Sequence, residues 1–412
     1  MSPHDKLSDN QETNLPTAYR ARWLFPVNAP PIPEGTLEVD VHGRIAAIRQ
    51  GRDFDALDLG DVAIIPALVN AHAHLEFSNL ISPVSPALPF PKWVEKVVSI
   101  RKSRTASIDD ILRQGLREMR RGGTLAVGEI ATCDIDAYRS QRNDLSLCLF
   151  REIIGPLAEN WPDLLAQAES HLAECANHPG IAGGLSPHAP YTVPQELFER
   201  IIELAIKNHA PVAVHLAETA SERELLAARG GELVEMMRRL ALWNDALHPP
   251  GRNFSDWIAQ LAKCRHGLIV HGNYLNDREL DLIAEHENLT LVYCPRTHAY
   301  FKHPPHPICR LLERGGRLAL GTDGRSSNPD LSLLAEANFL ARRHPGVPSD
   351  TILEMITRNP AEALGLGDRA GVLAVGREAN FLAVDVREEQ RSPVLFQAEQ
   401  GPSAVFHHGV KN

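Results

Sequence analysis

Eight short apolar runs, spaced along the middle of a 412-residue chain and separated by helical stretches, restrict its architecture more than any other feature. The runs are AIIPALVN, TLAVGEI, LCLFREII, IAGGLSP, PVAVHLA, GLIVHGN, LTLVYCP and RLALGTD. Between them lie segments with helical periodicity, such as SIDDILRQGLREMRRGG, PQELFERIIELAIKN, DRELDLIAEHE and PICRLLERGG. Ser107 is placed to cap the first of these, and Gly122 or Gly123 to end it. Strand–helix alternation calls for a parallel sheet, and eight repeats fit a closed barrel. An open doubly wound sheet is the rival, but no GxGxxG turn accompanies the strands.

The two ends of the chain read differently. YRARWLFP, TLEVDVHGRIAAIRQG and DVAIIPALVN alternate like short strands, with GRIAAIRQG as one arm of a hairpin. The same texture returns in AGVLAVGREANFLAVDV and SAVFHHGVKN. The expected organisation is therefore a disordered tail over 1–17, part of a small β-sandwich over 18–66, an α/β barrel over 67–369, and the rest of the sandwich over 370–412. Two insertions interrupt the barrel. ISPVSPALPFPKW is too proline-rich for regular helix and would lie over the barrel mouth, and Gly230 to Cys264 is a long excursion of the kind that often forms a lid.

Side chains suited to metal binding follow several of the apolar runs. They are His72 and His74 in NAHAHLEFS, His215 in VAVHLAET, and Asp323 in LALGTDG. In a parallel barrel the carboxyl ends of the strands gather at one mouth, so residues far apart in sequence can meet on one ion. His72 and His74 are two apart, so on a strand end they face the same way. Asp323 after an apolar strand is costly to bury without a cation or hydrogen bonds. Each residue alone could be a satisfied polar group at a strand end. Together they read as a His3Asp site with an open position for water, suited to one divalent ion, with zinc expected and iron the other candidate. Glu218, three residues past His215, is placed to shuttle a proton between that water and a substrate, although it could equally complement the dipole of the helix that follows. His271, at the end of GLIVHGN, would hydrogen-bond the attacking group.

The formal net charge of −10 argues against nucleic acid as a partner. Six scattered cysteines, without a CxxC pair, read as reduced thiols. No apolar stretch approaches the roughly 20 residues that span a bilayer, and the polar N-terminus lacks the apolar core of a signal peptide. A cytoplasmic enzyme acting on a small molecule is the expectation, with no membrane association.

HAHLEFS, SPHAPYTV, HLAET, VHGNYL, CPRTH and GTDGRSSNPDLSLLAEANF together resemble the amidohydrolase superfamily, in its branch of cytosine, guanine and adenosine-type deaminases and triazine hydrolases. The resemblance runs from about Ala18 to the C-terminus. It implies a (β/α)8 barrel with a small β-sandwich and one catalytic zinc or iron held by His72, His74, His215 and Asp323. Glu218 would carry the proton, Asp323 could accept one from the attacking water, and His271 would contact hydroxide or substrate. Such an enzyme would be an aminohydrolase of cyclic amidines that releases ammonia through a metal-bound hydroxide. Binuclear relatives need a lysine at the end of strand four, where GGLSPHAPYTV offers His188, so one metal is expected.

By the same resemblance His188 is a substrate contact. Arg151, ending LCLFREIIG, is expected to point at the mouth and to favour an anionic or carbonyl-bearing substrate. Trp93 could pack on the substrate. Arg101 and Lys102 stand where methylthioadenosine and adenosylhomocysteine deaminases tend to carry an acidic residue, which suits an adenosine bearing a carboxylate. HLEFS and GTDGRSSN look like the aminodeoxyfutalosine deaminases of menaquinone biosynthesis, and an activity of that kind is the specific expectation. Methylthioadenosine or adenosylhomocysteine deaminase, guanine or cytosine deaminase, and triazine-type chlorohydrolase are the alternatives. Two departures stand out: Ala379-Asn380-Phe381 where ADL is common, and CPRTH, which puts His298 where an asparagine is common and so beside the pocket. Family analogy suggests a homodimer.

Overall fold

In the computed structural model, which describes residues 17–51, 55–142, 145–389, 392–396 and 401–411, two separate sheets share the chain. The N-terminal segment forms β1 (Thr17–Leu24), β2 (Ile32–Val39), β3 (Ile45–Gln50), β4 (Leu57–Asp58) and β5 (Val62–Pro66). The central strands are β6 (Leu68–Ala73), β7 (Thr124–Ala131), β8 (Ser146–Ile153), β9 (Ile181–Pro187), β10 (Val212–Leu216), β11 (Gly267–His271), β12 (Leu289–Tyr293) and β13 (Leu318–Leu320). The chain ends in β14 (Phe381–Asp385), β15 (Arg387–Glu389), β16 (Ser392–Val394), β17 (Ala404–His407) and β18 (Val410–Lys411).

β6 to β13 pair in sequence order, each parallel to the next. A parallel bridge between Ala73 and Asp323 joins the last strand region to the first, so the eight strands form a (β/α)8 barrel. Every residue of β10, β11 and β12 is buried. That double-sided burial is why runs such as VAV and LIV are continuous rather than alternating. The outer helices present one apolar stripe each: Ile108–Arg121 buries Ile111, Leu112, Leu116 and Met119. Asp109 and Asp110 lie in its first turn and Arg120 and Arg121 in its last, which complements the helix dipole. Ser107 and Gly122 flank it as expected, although the Ser107 hydroxyl makes no capping bond.

The run AIIPALVN is two strands, not one. β5 lies in the end sheet, pairing with β14 and β1, whereas β6 opens the barrel. Pro66 has no N–H to continue a ladder, and the Ala67 N–H turns to the Asn380 carbonyl at 3.0 Å. The end sheet runs β18-β17-β14-β5-β1-β2-β3 with β4 beside β1, so both chain ends build it. Tyr19, Phe381 and Phe406 form its aromatic centre, with Phe381 and Phe406 stacked at 4.4 Å. Of the expected tail, 1–16 lie outside the described residues, and Thr17 already belongs to β1. The proline-rich insertion ends in a helix after all. Phe90–Lys102 begins within it, because Pro91 occupies the first turn, where a missing N–H costs nothing. The excursion after Gly230 folds into helices Glu232–Arg239 and Phe254–Leu261. Among the described residues no helix is long and apolar enough to cross a membrane.

Barrel closure is stitched by one buried amide. Asn70 on β6 donates through Nδ2 to Thr322 Oγ1 at 2.7 Å, and its Oδ1 accepts from the Thr322 and His72 N–H groups at 3.2 Å each. Asn70→Ala removes the side-chain bonds to Thr322 and the acceptor of the His72 N–H, although the Thr322 N–H keeps the His72 carbonyl, and should cost about 2 kcal/mol. Urea unfolding should show a lower midpoint with an unchanged slope.

Candidate active site

β6, β10 and the end of β13 bring four side chains together at the barrel mouth. His72 Nε2 and His74 Nε2 lie 3.5 and 3.6 Å from Asp323 Oδ1, and the Nε2 atoms of His74 and His215 are 3.2 Å apart. Two overlapping groups there could hold a metal ion, His72 with His74 and His215, and His72 with His271 and Asp323. Close approach of the strands depends on glycine. A Cβ at Gly321 would meet His72 Cβ at 2.8 Å, and one at Gly324 would meet His74 Cβ at 2.9 Å.

The hydrogen bonds argue for a cation. His215 Nδ1 sits 3.0 Å from the His188 carbonyl, which can only accept, so Nδ1 carries the proton and Nε2 turns its lone pair to the centre. Burial and the neighbouring histidines push the His74 and His215 imidazoles well below their usual range, which keeps them neutral. Both ring nitrogens of His72 and Nδ1 of His74 are buried with no hydrogen-bond partner. Four ligands about 2.1 Å from one divalent ion stand about 3.4 Å apart in a tetrahedral array, close to the spacings here. Burial alone would raise the Asp323 carboxyl, but the imidazoles of His72, His74 and His271 hold it well below the usual carboxylate range. Its Oδ2 accepts from the Ser327 hydroxyl at 2.5 Å, which orients Oδ1 inward.

Glu218 and His271 stand beside this centre, with Oε1 and Nε2 3.6 Å apart. Burial, reinforced by Glu222 and Asp323, pushes the Glu218 carboxyl well above its ordinary value. Its backbone is held from both sides. Asn273 Nδ2 donates to the Glu218 carbonyl at 3.0 Å, and Glu222 accepts from the Ala217 and Thr219 N–H groups at 3.1 and 2.9 Å. His271 adopts a left-handed backbone, φ 72°, and its carbonyl accepts from His306 Nε2 at 2.7 Å.

His74, His215, Glu218, His271 and Asp323 line one cavity of about 190 Å³. Phe90 and Trp93, stacked at 5.7 Å, form one wall with Val94, and Met236, Met237 and Leu240 of the long excursion form another. The Trp93 indole donates to the Ser326 carbonyl at 3.2 Å. His188 also faces the cavity, and burial pushes its imidazole down to about 3. Thr192 gives its hydroxyl proton to the Ala189 carbonyl and so accepts from His188 Nδ1 at 2.7 Å, which leaves His188 Nε2 as an acceptor. Arg101 lines the cavity too, but Glu76 and Glu152 already bind it: Nε donates to Glu76 at 3.0 Å and Nη1 to Glu152 at 3.3 Å.

Arg151 is not at the mouth. It turns outward to Gln167 Oε1 at 3.2 Å, because alternation along β8 points Glu152 inward instead. His298 stays outside the cavity as well, with Nε2 donating to the Pro304 carbonyl at 2.8 Å. Sequence reasoning did not place Glu76 or Glu152 beside Arg101, where their largely buried carboxylates set the charge. Their only signal was an acid next to HAHL and another next to Arg151. It also missed Ser327 and the two methionines. Ser327→Ala should leave all four inward-facing side chains in place yet lower metal affinity about tenfold, as read by competition with a chromophoric chelator.

Residues 63–410 match the model of the amidohydrolase family. A 5-methylthioadenosine/S-adenosylhomocysteine deaminase of Moorella thermoacetica is 30% identical over 390 residues, covering 90% of this chain and 86% of that one. Among solved structures, an adenosine deaminase of Xanthomonas campestris with bound zinc is 26% identical, with a TM-score of 0.74 over 96% of this chain and 92% of the other. The aminofutalosine deaminase of Helicobacter pylori in complex with methylthio-coformycin has a TM-score of 0.81 at 21% identity, covering 96% of this chain and all of the other. A match across most of its length, on a barrel of this kind, makes the chain a member of the amidohydrolase family.

Proposed function

We propose that this hydrolase of carbon–nitrogen bonds is a metal-dependent deaminase of an aminopurine nucleoside carrying a 5′ substituent. One observation carries the reading: a set of inward-facing imidazoles and a carboxylate lies beside an acid, Glu218, whose burial favours its protonated form, on the wall of an aromatic-lined cavity. His72, His74, His215 and Asp323 would hold one divalent ion, zinc in the first instance and iron in the second. When bound, the ion acidifies a water molecule and so supplies the nucleophile at neutral pH. Glu218 gives its proton to the ring nitrogen next to the carbon under attack; the carboxylate so formed would take the proton of the hydroxyl that has added to the ring and hand it to the departing amine. Asp323 is placed to accept the proton that the water gives up. His271 hydrogen-bonds the group that adds to the ring. Trp93 and Phe90 stack on the base, and the acceptor Nε2 of His188 suits a sugar hydroxyl or a ring N–H.

Two observations bear on the 5′ substituent. Arg101 at the cavity edge supports aminodeoxyfutalosine, whose carboxylate would have to compete with Glu76 and Glu152 for the guanidinium. The apolar wall of Met236, Met237 and Leu240 supports methylthioadenosine, as does the name of the Moorella relative. Ammonia release measured on adenosine, methylthioadenosine, adenosylhomocysteine and aminodeoxyfutalosine separates these. Arg101→Gln should selectively raise the KM of aminodeoxyfutalosine if its carboxylate binds there, and leave that of methylthioadenosine little changed. Glu218→Gln should keep its metal while kcat falls by about 10² or more. Retention of most activity by that variant rules out the proton-shuttle role.

A further inference from the structure

A second cavity, of about 720 Å³, lies at the opposite end of the barrel. Leu68, Ala126, Ser146 and Gly180, at the N-terminal ends of β6 to β9, form its barrel side, and the end sheet closes it. The length of a barrel strand, about 20 Å, separates it from Glu218. Four arginines line it. Arg44 comes from the turn before β3, Arg142 from the loop before β8, and Arg369 and Arg377 from the connection leading into β14. Asp368 and Glu378 are the carboxylates in the lining, so the lining carries a formal excess of two positive charges on a chain whose net charge is −10, although Asp40 behind it feels the charge of Arg44.

Three of these arginines are tethered by carbonyl groups rather than by acids. Arg44, Arg142 and Arg377 each donate through Nη1 to a backbone carbonyl, of Gly376 at 2.8 Å, Leu145 at 3.2 Å and Gly367 at 2.5 Å. None of the four lies within ion-pair distance of a carboxylate among the described residues. A carbonyl orients a guanidinium without cancelling its charge, and leaves other N–H groups of the planar fork for a multidentate oxyanion. Elsewhere the chain matches its cavity-facing arginine with acids, as at Arg101.

We propose that this cleft is a binding site for a small molecule bearing a phosphomonoester dianion. A formal excess of two positive charges balances such a dianion, arginine forks suit phosphate oxygens, and the volume admits a sugar-phosphate-sized body. Because the arginines come from both the barrel and the end sheet, an occupant ties the two together and stabilises the folded protein by linkage.

The test is calorimetric titration of the metal-loaded protein with inorganic phosphate and with ribose 5-phosphate, alongside thermal unfolding at matched ionic strength. Arg44→Gln/Arg369→Gln is the informative variant, since both side chains are exposed and neither faces the active-site cavity. Its deaminase turnover in phosphate-free buffer should equal that of the parent. Saturable binding of ribose 5-phosphate by the parent, weakened about tenfold or more in the variant, is expected, together with a phosphate-dependent rise in unfolding temperature that the variant loses. Arg369→Lys, which keeps the charge, should recover part of the affinity. Binding of equal strength in parent and variant overturns the proposal by placing the anion elsewhere, for instance on the metal. Absence of saturable binding up to about 10 mM overturns it as well, and leaves the arginines as solvated charges.

Discussion

The contact on which the active site depends is the one between the first and last barrel strands. The Thr322 and Asp323 N–H groups both donate to the His72 carbonyl at 3.1 Å, so a backbone hydrogen-bond pair fixes Asp323 against β6. Asn70 repeats the connection with its side chain, and Gly321 and Gly324 leave room for the histidines. Residues about 250 positions apart are thereby held within 4 Å of one another by the polypeptide's own bonds. Such preorganisation lowers the cost of gathering like-polarity groups, which would otherwise repel or protonate. Asp323 takes a left-handed backbone to reach inward, φ 54°, a conformation that only surrounding structure makes worthwhile.

Charge is managed by a ring of buried acids around this centre. Glu76 is bound by Arg101 and Arg104, and Glu152 by Arg101. Among the described residues Glu129 has no such cation. It accepts the Leu75 N–H on both oxygens at 3.1 Å and the Tyr138 hydroxyl at 3.2 Å, and burial pushes its carboxyl well above the usual range. The segment after His74 is therefore anchored by a buried acid through its backbone N–H at Leu75, with burial and hydrogen bonding pulling the carboxyl in opposite directions. Glu336 plays a comparable part on the far side, held by Arg296 at 2.7 Å and Asn328 at 2.6 Å.

Much of the fold was legible because barrel strands, buried on both faces, are conspicuous as short apolar runs, and because ligand-type residues after such runs must converge if the barrel closes. His72, His74, His215 and Asp323 stood out for that reason alone. The phase of a strand was less visible. In LCLFREIIG either Arg151 or Glu152 could face inward, and no periodicity in a doubly buried strand decides between them. Pro66 marks where one apolar run leaves the end sheet and enters the barrel, at the boundary expected between 18–66 and 67–369, although the run around it reads as a single strand. Met236 and Met237 lay in a segment whose helices pack by tertiary contact, and their approach to the cavity had no local signature.

The direct passage from β5 into β6 has a consequence for how the protein matures. β5 is flanked by β1 on one edge and by β14 on the other, and one residue later begins the strand that carries His72. During synthesis the first histidines emerge early, but their supporting strand keeps a bare edge until the chain near residue 385 has left the ribosome. The far end of the chain, through β14, thereby braces the segment that leads directly into the strand bearing His72.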